Sequence, residues 1–338
     1  MKTCAIIAEY NPLHKGHIYH ITKAKEESNC DCLVVILSTF FSQRGLPSLL
    51  SRKDKARLAI QYGADLVLEL PCIYASQSAD QFAKYSIQSL SSLHIDCLCF
   101  GSETNDLSYL ESLLEKLKQK EIDPSKSWNQ NLDCNLQAND ILGLQYIRWC
   151  KQYNIQPLLI QRNNTYKSAT QTRKDFFNQK SQFNDQYFIQ EQKWDSYYPY
   201  LRLFLLMTKP EQLRSYFLVN EGIEYRLIDS AKKYTNWNDF LEACISKTYT
   251  RARIQRTCLF IMLQIQKEEM QKHNSFYDVR VLGFNSTGRK LLKEHKEANI
   301  QTQFKDLNPF AQEIELKIKA LWQSVTTKEI EDGIYVVD

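Results

Sequence analysis

The sequence predicts an α/β fold: a parallel, doubly wound sheet within residues 1–173, followed by a mostly helical domain over residues 174–338. Three observations carry this. The first 165 residues alternate short β-branched runs with helical periodicity, and the runs are apolar throughout, as strands buried on both faces are. After about residue 173 strand signals nearly vanish and amphipathic helical stretches dominate. Glycine is sparse, 9 of 338 residues, and five of the nine (Gly16, Gly45, Gly63, Gly101, Gly143) lie early in the chain, four of them at element ends or in a loop between elements.

Taken in order, the candidate strands are Cys4–Ala8, Cys32–Leu37, Asp65–Leu70, Asp96–Phe100 and Pro157–Gln161. Helical patterns lie between them at 16–28, 53–62, 78–93, 105–120 and 139–152. Such sheets bind ligands at the C-terminal ends of their strands, near the point where strand order reverses. Helical stretches then follow at 200–218, 222–233, 237–245, 250–267, 286–296 and 310–323, after a polar boundary near 170–195. In the stretch 250–267, Ile254, Cys258, Ile261, Met262 and Ile265 form one apolar stripe, with Arg256 pointing away and Arg253 on its flank.

Composition excludes several classes. With 43% hydrophobic and 24% charged residues the chain is globular rather than disordered. No run approaches 18 apolar residues, so no membrane span is expected, and Glu9 and Asn11 interrupt anything like a signal peptide. The expectation is a cytoplasmic protein with no membrane contact and no implied protein partner. Ten scattered cysteines without a CxxC pair read as reduced thiols, and six histidines without a cluster predict no metal ligands. The net charge of +4 conceals an asymmetry: Lys247–Lys296 holds eleven Lys/Arg against four Asp/Glu. That block points to a polyanionic partner.

The sharpest motif is EYNPLHKGHIYH, residues 9–20, directly after the first strand. A tight turn leading into a helix aims backbone N–H groups and the positive helix end at a phosphate. His14 and His17, three apart, share a helical face from which both can donate, and Gly16 leaves room for a flat base. The second strand is followed by Gln43, Arg44 and Gly45 and then Arg52, Lys53, Lys55 and Arg57, a candidate clamp. Lys53, Lys55 and Arg57 taken singly read better as a solvated helix face. Gly101 in FGSETND would admit a ribose or base, while Asn139 is either a helix cap or a nucleotide partner. Arg162 emerges from the last strand, and Ser168, Thr170 and Arg173 open a helix in the way that suits β- and γ-phosphates.

These pieces resemble the nucleotidylyltransferase superfamily, and more narrowly the bacterial tRNA(Met) cytidine acetate ligase family. The carrying strings are IIAEYNPLHKGHIYH, QRGLP, GADLVLELP, QSADQFAKYS, FGSETND, NDILGLQY, SATQTR, KTYTRARIQR and VRVLGFNSTGRKLL. Leu13, Lys15 and Thr172 depart from the usual residues, and the stretch between FGSETND and NDILGLQY is short. The resemblance implies a nucleotidylyltransferase-like sheet that activates acetate with ATP as acetyl-adenylate, releasing pyrophosphate. The acetyl group then passes to N4 of the wobble cytidine of elongator tRNA(Met), with Mg²⁺ carried in with ATP. It implies ATP contacts from Ile7, Ala8, Glu9, Tyr10, Asn11, Pro12, Leu13, His14, Lys15, Gly16, His17, Ile18, Tyr19 and His20, with Gly101, Asn139, Arg162 and Ser168. His14, His17 and Arg173 would be catalytic, and Arg44, Arg251, Arg253 and Arg256 would grip tRNA, although each of the last three also reads as a solvated helix face. Two alternatives remain: adenylation of a small phosphate ester, and an RNA-binding protein that keeps the fold as a scaffold.

Overall fold

In the computed structural model, residues 1–118 and 131–337 are described. Residues 119–130, which include the end of the helix predicted over 105–120 and much of the short stretch before Asn139, lie outside them. The first half builds β1 (Thr3–Ala8), α1 (Lys15–Ser28), β2 (Cys32–Ser38), α2 (Arg52–Gln61), β3 (Leu66–Leu70), α3 (Cys72–Ala75) and α4 (Ala79–Ser91). It continues through β4 (Cys97–Ser102), α5 (Leu107–Lys118), α6 (Ala138–Tyr153), β5 (Gln156–Gln161) and α7 (Ala169–Phe177). All five predicted strands are present.

The second half adds α8 (Trp194–Met207), α9 (Pro210–Ser215), α10 (Ile223–Lys233), α11 (Trp237–Cys244), α12 (Arg251–Leu263) and α13 (Lys267–Lys272). Then come β6 (Val279–Phe284), α14 (Ser286–Glu294), β7 (Ile300–Gln301), α15 (Pro309–Gln323) and β8 (Tyr335–Val336). The second half is mostly helical, as expected, and it also supplies β6, β7 and β8, which the sequence did not display. The sheet order is β5-β4-β1-β2-β3-β6-β7, with β8 also on β6, so the sheet draws strands from both sides of the 173/174 division. Strands β1 to β5 run parallel, whereas β6 lies antiparallel to β3.

Side chains of β2 alternate between two cores, as the twofold period of a strand requires. Cys32, Val34 and Ile36 face a large cluster shared with α4, α6 and the second half, whereas Leu33, Val35 and Leu37 face a smaller one under α1 and α2. The large cluster runs on through Phe41, Trp194 and Tyr197, and Trp194 stacks on Trp237 with centroids 4.5 Å apart.

Asp65, just before β3, joins the halves. Its carboxylate accepts from Leu33 N–H at 2.8 Å and from the Asn285 amide at 2.7 Å, and its carbonyl accepts from Asn285 N–H at 3.0 Å. Asn285 in turn caps α14 by accepting from Thr287 and Gly288 N–H at 2.9 and 3.0 Å. Position 288 is glycine because a Cβ there would lie 2.1 Å from the Asp65 carbonyl oxygen. The Gly288→Ala variant should therefore lose about 2–3 kcal/mol of stability, read from its denaturant midpoint. A loss below about 0.5 kcal/mol, the range of an innocuous surface change, would contradict this packing.

Candidate active site

Strand order reverses between β1 and β4, and at their C-terminal ends opens a cleft of about 580 Å³. Ile7 and Ala8 line it from the end of β1, followed by Glu9, Tyr10, Asn11 and His14, and by Gly16, His17, Tyr19 and His20 of α1. Gly101, Asn139, Arg162, Ser168 and Arg173 complete the wall from the other elements, and Arg44 joins from the loop after β2. Pro12, Leu13, Lys15 and Ile18 do not line it. Pro12 is buried, Leu13 and Ile18 pack in or against the smaller core, and Lys15 is exposed with its ammonium 5.9 Å from the Phe183 ring centroid.

At the start of α1, Gly16 N–H donates to His14 Nδ1 at 3.1 Å and His14 N–H donates to His17 Nδ1 at 3.2 Å. The two rings stack with centroids 3.8 Å apart. Because each Nδ1 accepts, each neutral imidazole carries its proton on Nε2, the nitrogen left for an anion. Burial, reinforced by Arg162, lowers the His14 pKa to about 4. Burial also lowers His17 well below its ordinary value, aided by His14, His20 and Lys55. Gly16 has a cause other than room for a base: a Cβ there would stand 2.9 Å from His14 Cε1.

Ser168 caps α7, accepting from Gln171 N–H at 3.2 Å. Arg173 donates to Asn11 Oδ1 at 2.7 Å, to the Pro47 carbonyl at 3.0 Å and to the Gln192 carbonyl at 3.3 Å. It thus ties the loop after β1 to both neighbouring segments. Burial lowers its pKa to about 10, which leaves it charged at neutral pH.

Across the cleft, Glu103 accepts from Arg162 at 2.9 Å, from the Asn139 side chain at 2.8 Å and from Asp140 N–H at 3.2 Å. Asn139 therefore does not cap α6; its side chain pairs with Glu103. Asp140 is fully buried and accepts from Ser102 Oγ at 2.5 Å and from Glu103 and Thr104 N–H, both at 3.1 Å. Nothing lies within 4 Å of a Cβ built on Gly101, so that strand end is open to a ligand. Glu103 and Asp140 sit within the quoted motifs, but their partners are remote in sequence and spacing alone did not single them out.

Lys55 overturns its reading as part of a solvated face. It is buried, donating to the Glu9 carbonyl at 2.7 Å and the Ser38 carbonyl at 2.9 Å, and burial lowers its pKa to about 7. Lys53 pairs with Glu331 and Arg57 lies 3.8 Å from Asp54. Among the basic residues assigned to RNA, Arg44 is exposed at the cleft. Arg251 pairs with Glu242, and Arg253 lies 3.5 Å from Glu221 and 4.0 Å over the Tyr249 ring. Arg256 does not point into solvent: it is partly buried and donates to the Gln43 carbonyl at 3.4 Å.

The family described as HIGH Nucleotidyl Transferase matches residues 1–332. A relative from Anoxybacillus flavithermus named tRNA(Met) cytidine acetate ligase is 32% identical, with 88% of this chain and 87% of that protein aligned. One of the same name from Bacillus subtilis is 30% identical, over 95% of this chain and 91% of its own length. The fold matches Thermotoga maritima TmcAL bound with alpha-thio ATP at a TM-score of 0.83, with 24% identity and both chains fully covered. The apo form of TmcAL matches at 0.78, with 25% identity over 98% of this chain and 90% of that one.

The histidine geometry has a measurable consequence. Burial lowers His20, like His14, to about 4. In the folded protein both should stay neutral down to about pH 4, read by NMR titration of their imidazole resonances. The unfolded chain protonates near the ordinary 6.5 and so binds more protons between these values; stability therefore falls as pH drops from 6.5 towards 4. Titration of His14 near 6.5 in the folded state would contradict the buried pair.

Proposed function

The chain belongs to the HIGH nucleotidyl transferase family, among relatives named tRNA(Met) cytidine acetate ligase, and we propose that it is an ATP-dependent ligase that acetylates a cytidine of tRNA(Met). In this reading ATP lies in the switch-point cleft with its triphosphate at the start of α1. Acetate attacks the α-phosphorus, forming acetyl-adenylate and releasing pyrophosphate. The acetyl group then moves to N4 of the wobble cytidine, giving N4-acetylcytidine and AMP. The reaction is expected to run in the cytoplasm.

The observation that carries this reading is the neutral His14–His17 pair, with both Nδ1 atoms occupied, beside Arg173 and Ser168 in one cleft. Acetate is already ionised at pH 7, so activation needs no protein base. It needs donors fixed where charge builds on phosphorus, and these imidazoles are held in place before substrate arrives. Arg173 keeps its charge and already fixes the loop that carries Asn11. Mg²⁺ fits this cleft only as a companion of the phosphates: among the described residues no group of three or more His, Cys, Asp or Glu could hold an ion. Arg44, exposed at the cleft, is a candidate contact for RNA phosphates, with Arg251 and Arg253 as further candidates, whereas Arg256 is taken up by the Gln43 carbonyl.

ATP–pyrophosphate exchange tests the activation step. Exchange should require acetate and proceed without tRNA, and His14→Ala should lower it by about 10²–10³-fold, the usual cost of losing one fixed donor to developing negative charge. Exchange that ignores acetate but answers to a small phosphate ester would replace this reading with adenylation of that ester.

A further inference from the structure

Glu9 is the only carboxylate among the described residues that line the cleft. A triphosphate gains nothing from a carboxylate beside it, so the placement of Glu9 asks for another partner. The side chain is firmly held. Gln43 N–H donates to its Oε1, and its own backbone carbonyl takes the Lys55 ammonium at 2.7 Å. The charged and titratable groups that face it are Lys55 from α2, Arg44 from the loop after β2, Arg173 from α7 and the Tyr146 phenol from α6. Burial of Glu9 outweighs the Gln43 hydrogen bond and the three cations, so it is a stronger base than an exposed carboxylate. Tyr146, pushed up by its own burial and then by Glu9, stays protonated.

The neighbouring imidazoles are unsuited to accept a proton. His14 and His17 already spend Nδ1 on backbone N–H groups and carry hydrogen on Nε2, so both are donors. His20 is weakly basic, at about 4. Cytosine, by contrast, offers N–H donors at N4, and a carboxylate is the side chain that accepts from them. The N4 lone pair is delocalised into the ring, so this amine attacks well only if its proton leaves as the new bond forms.

We propose that Glu9 is the proton acceptor in acetyl transfer, taking a proton from the N4 amino group of the target cytosine. This rests on the ligase reading above. The N4–carbon bond forms at the acetyl carbonyl, the bond from that carbon to the phosphate oxygen of acetyl-adenylate breaks, and AMP leaves with the electron pair. The proton lost from N4 resides on Glu9 until it passes to solvent.

Glu9→Gln keeps the shape and the oxygen facing Gln43 N–H while removing the base. Supplied with preformed acetyl-adenylate, so that ATP binding is bypassed, Glu9→Gln should transfer acetyl to tRNA(Met) about 100-fold or more slowly than the wild type. In the wild type, transfer should decline as pH falls through the raised Glu9 pKa; this acid limb should persist in Glu9→Asp and vanish in Glu9→Gln. Transfer from supplied acetyl-adenylate at the wild-type rate by Glu9→Gln, or an acid limb retained in Glu9→Gln, would each overturn the assignment. A wild-type protein without acetate-dependent exchange would refute the ligase reading itself.

Discussion

At the start of α1, Gly16 N–H donates to one imidazole while His14 N–H donates to the next, and the chemistry of the cleft depends on that exchange. It satisfies two backbone donors that a helix N-terminus otherwise leaves bare. It also fixes both rings, dictates their tautomer and leaves two Nε2–H groups at the positive end of the helix. The same contact excludes a side chain at Gly16, because the space beside it is filled by His14. One motif thus acts as helix cap and as candidate phosphate contact.

The helical half is tied to this cleft through the loop after β2. Trp194 donates to the Gly45 carbonyl at 2.8 Å and Trp322 to the Ser48 carbonyl at 3.3 Å. Gly45 adopts φ +72° with its Cα pressed against the backbone of α12, a Cβ there lying 2.9 Å from Arg256 N. Gln43 and Arg44, which face the cleft, are therefore positioned by residues some 150 to 270 places downstream. The shared apolar core and the Asp65–Asn285 junction make the second half a structural support of the first as well as a candidate RNA surface.

Strands β1 to β5 and most helices were legible because strands buried on both faces leave unbroken apolar runs, which local sequence displays. Strand β6 was not: Arg280 interrupts VRVLGF, and its burial makes sense only with Asp332, whose carbonyl it bonds at 2.9 Å, and Glu69 nearby. The two-residue strands β7 and β8 are too short to show a period. At the site, the cleft was located by the motif after β1. The inward turn of Lys55, the bridging role of Glu103 and the enclosure of Arg256 each depend on partners remote in sequence. Helix α12 showed an apolar stripe, yet Gln255, Thr257, Leu259 and Phe260 are buried as well: the loop after β2 lies against Gln255 and Arg256, while Thr257 donates to the Leu218 carbonyl and Phe260 packs on Phe217.

The central claim is that one cleft carries acetate from ATP activation to a cytidine. The direct measurement is incubation of the protein with ATP, isotopically labelled acetate and tRNA(Met), followed by nucleoside mass spectrometry. The account predicts labelled N4-acetylcytidine confined to the wobble position, formed with one AMP per acetyl group. A tRNA left unlabelled while ATP is consumed, or label at unrelated cytidines, would contradict it.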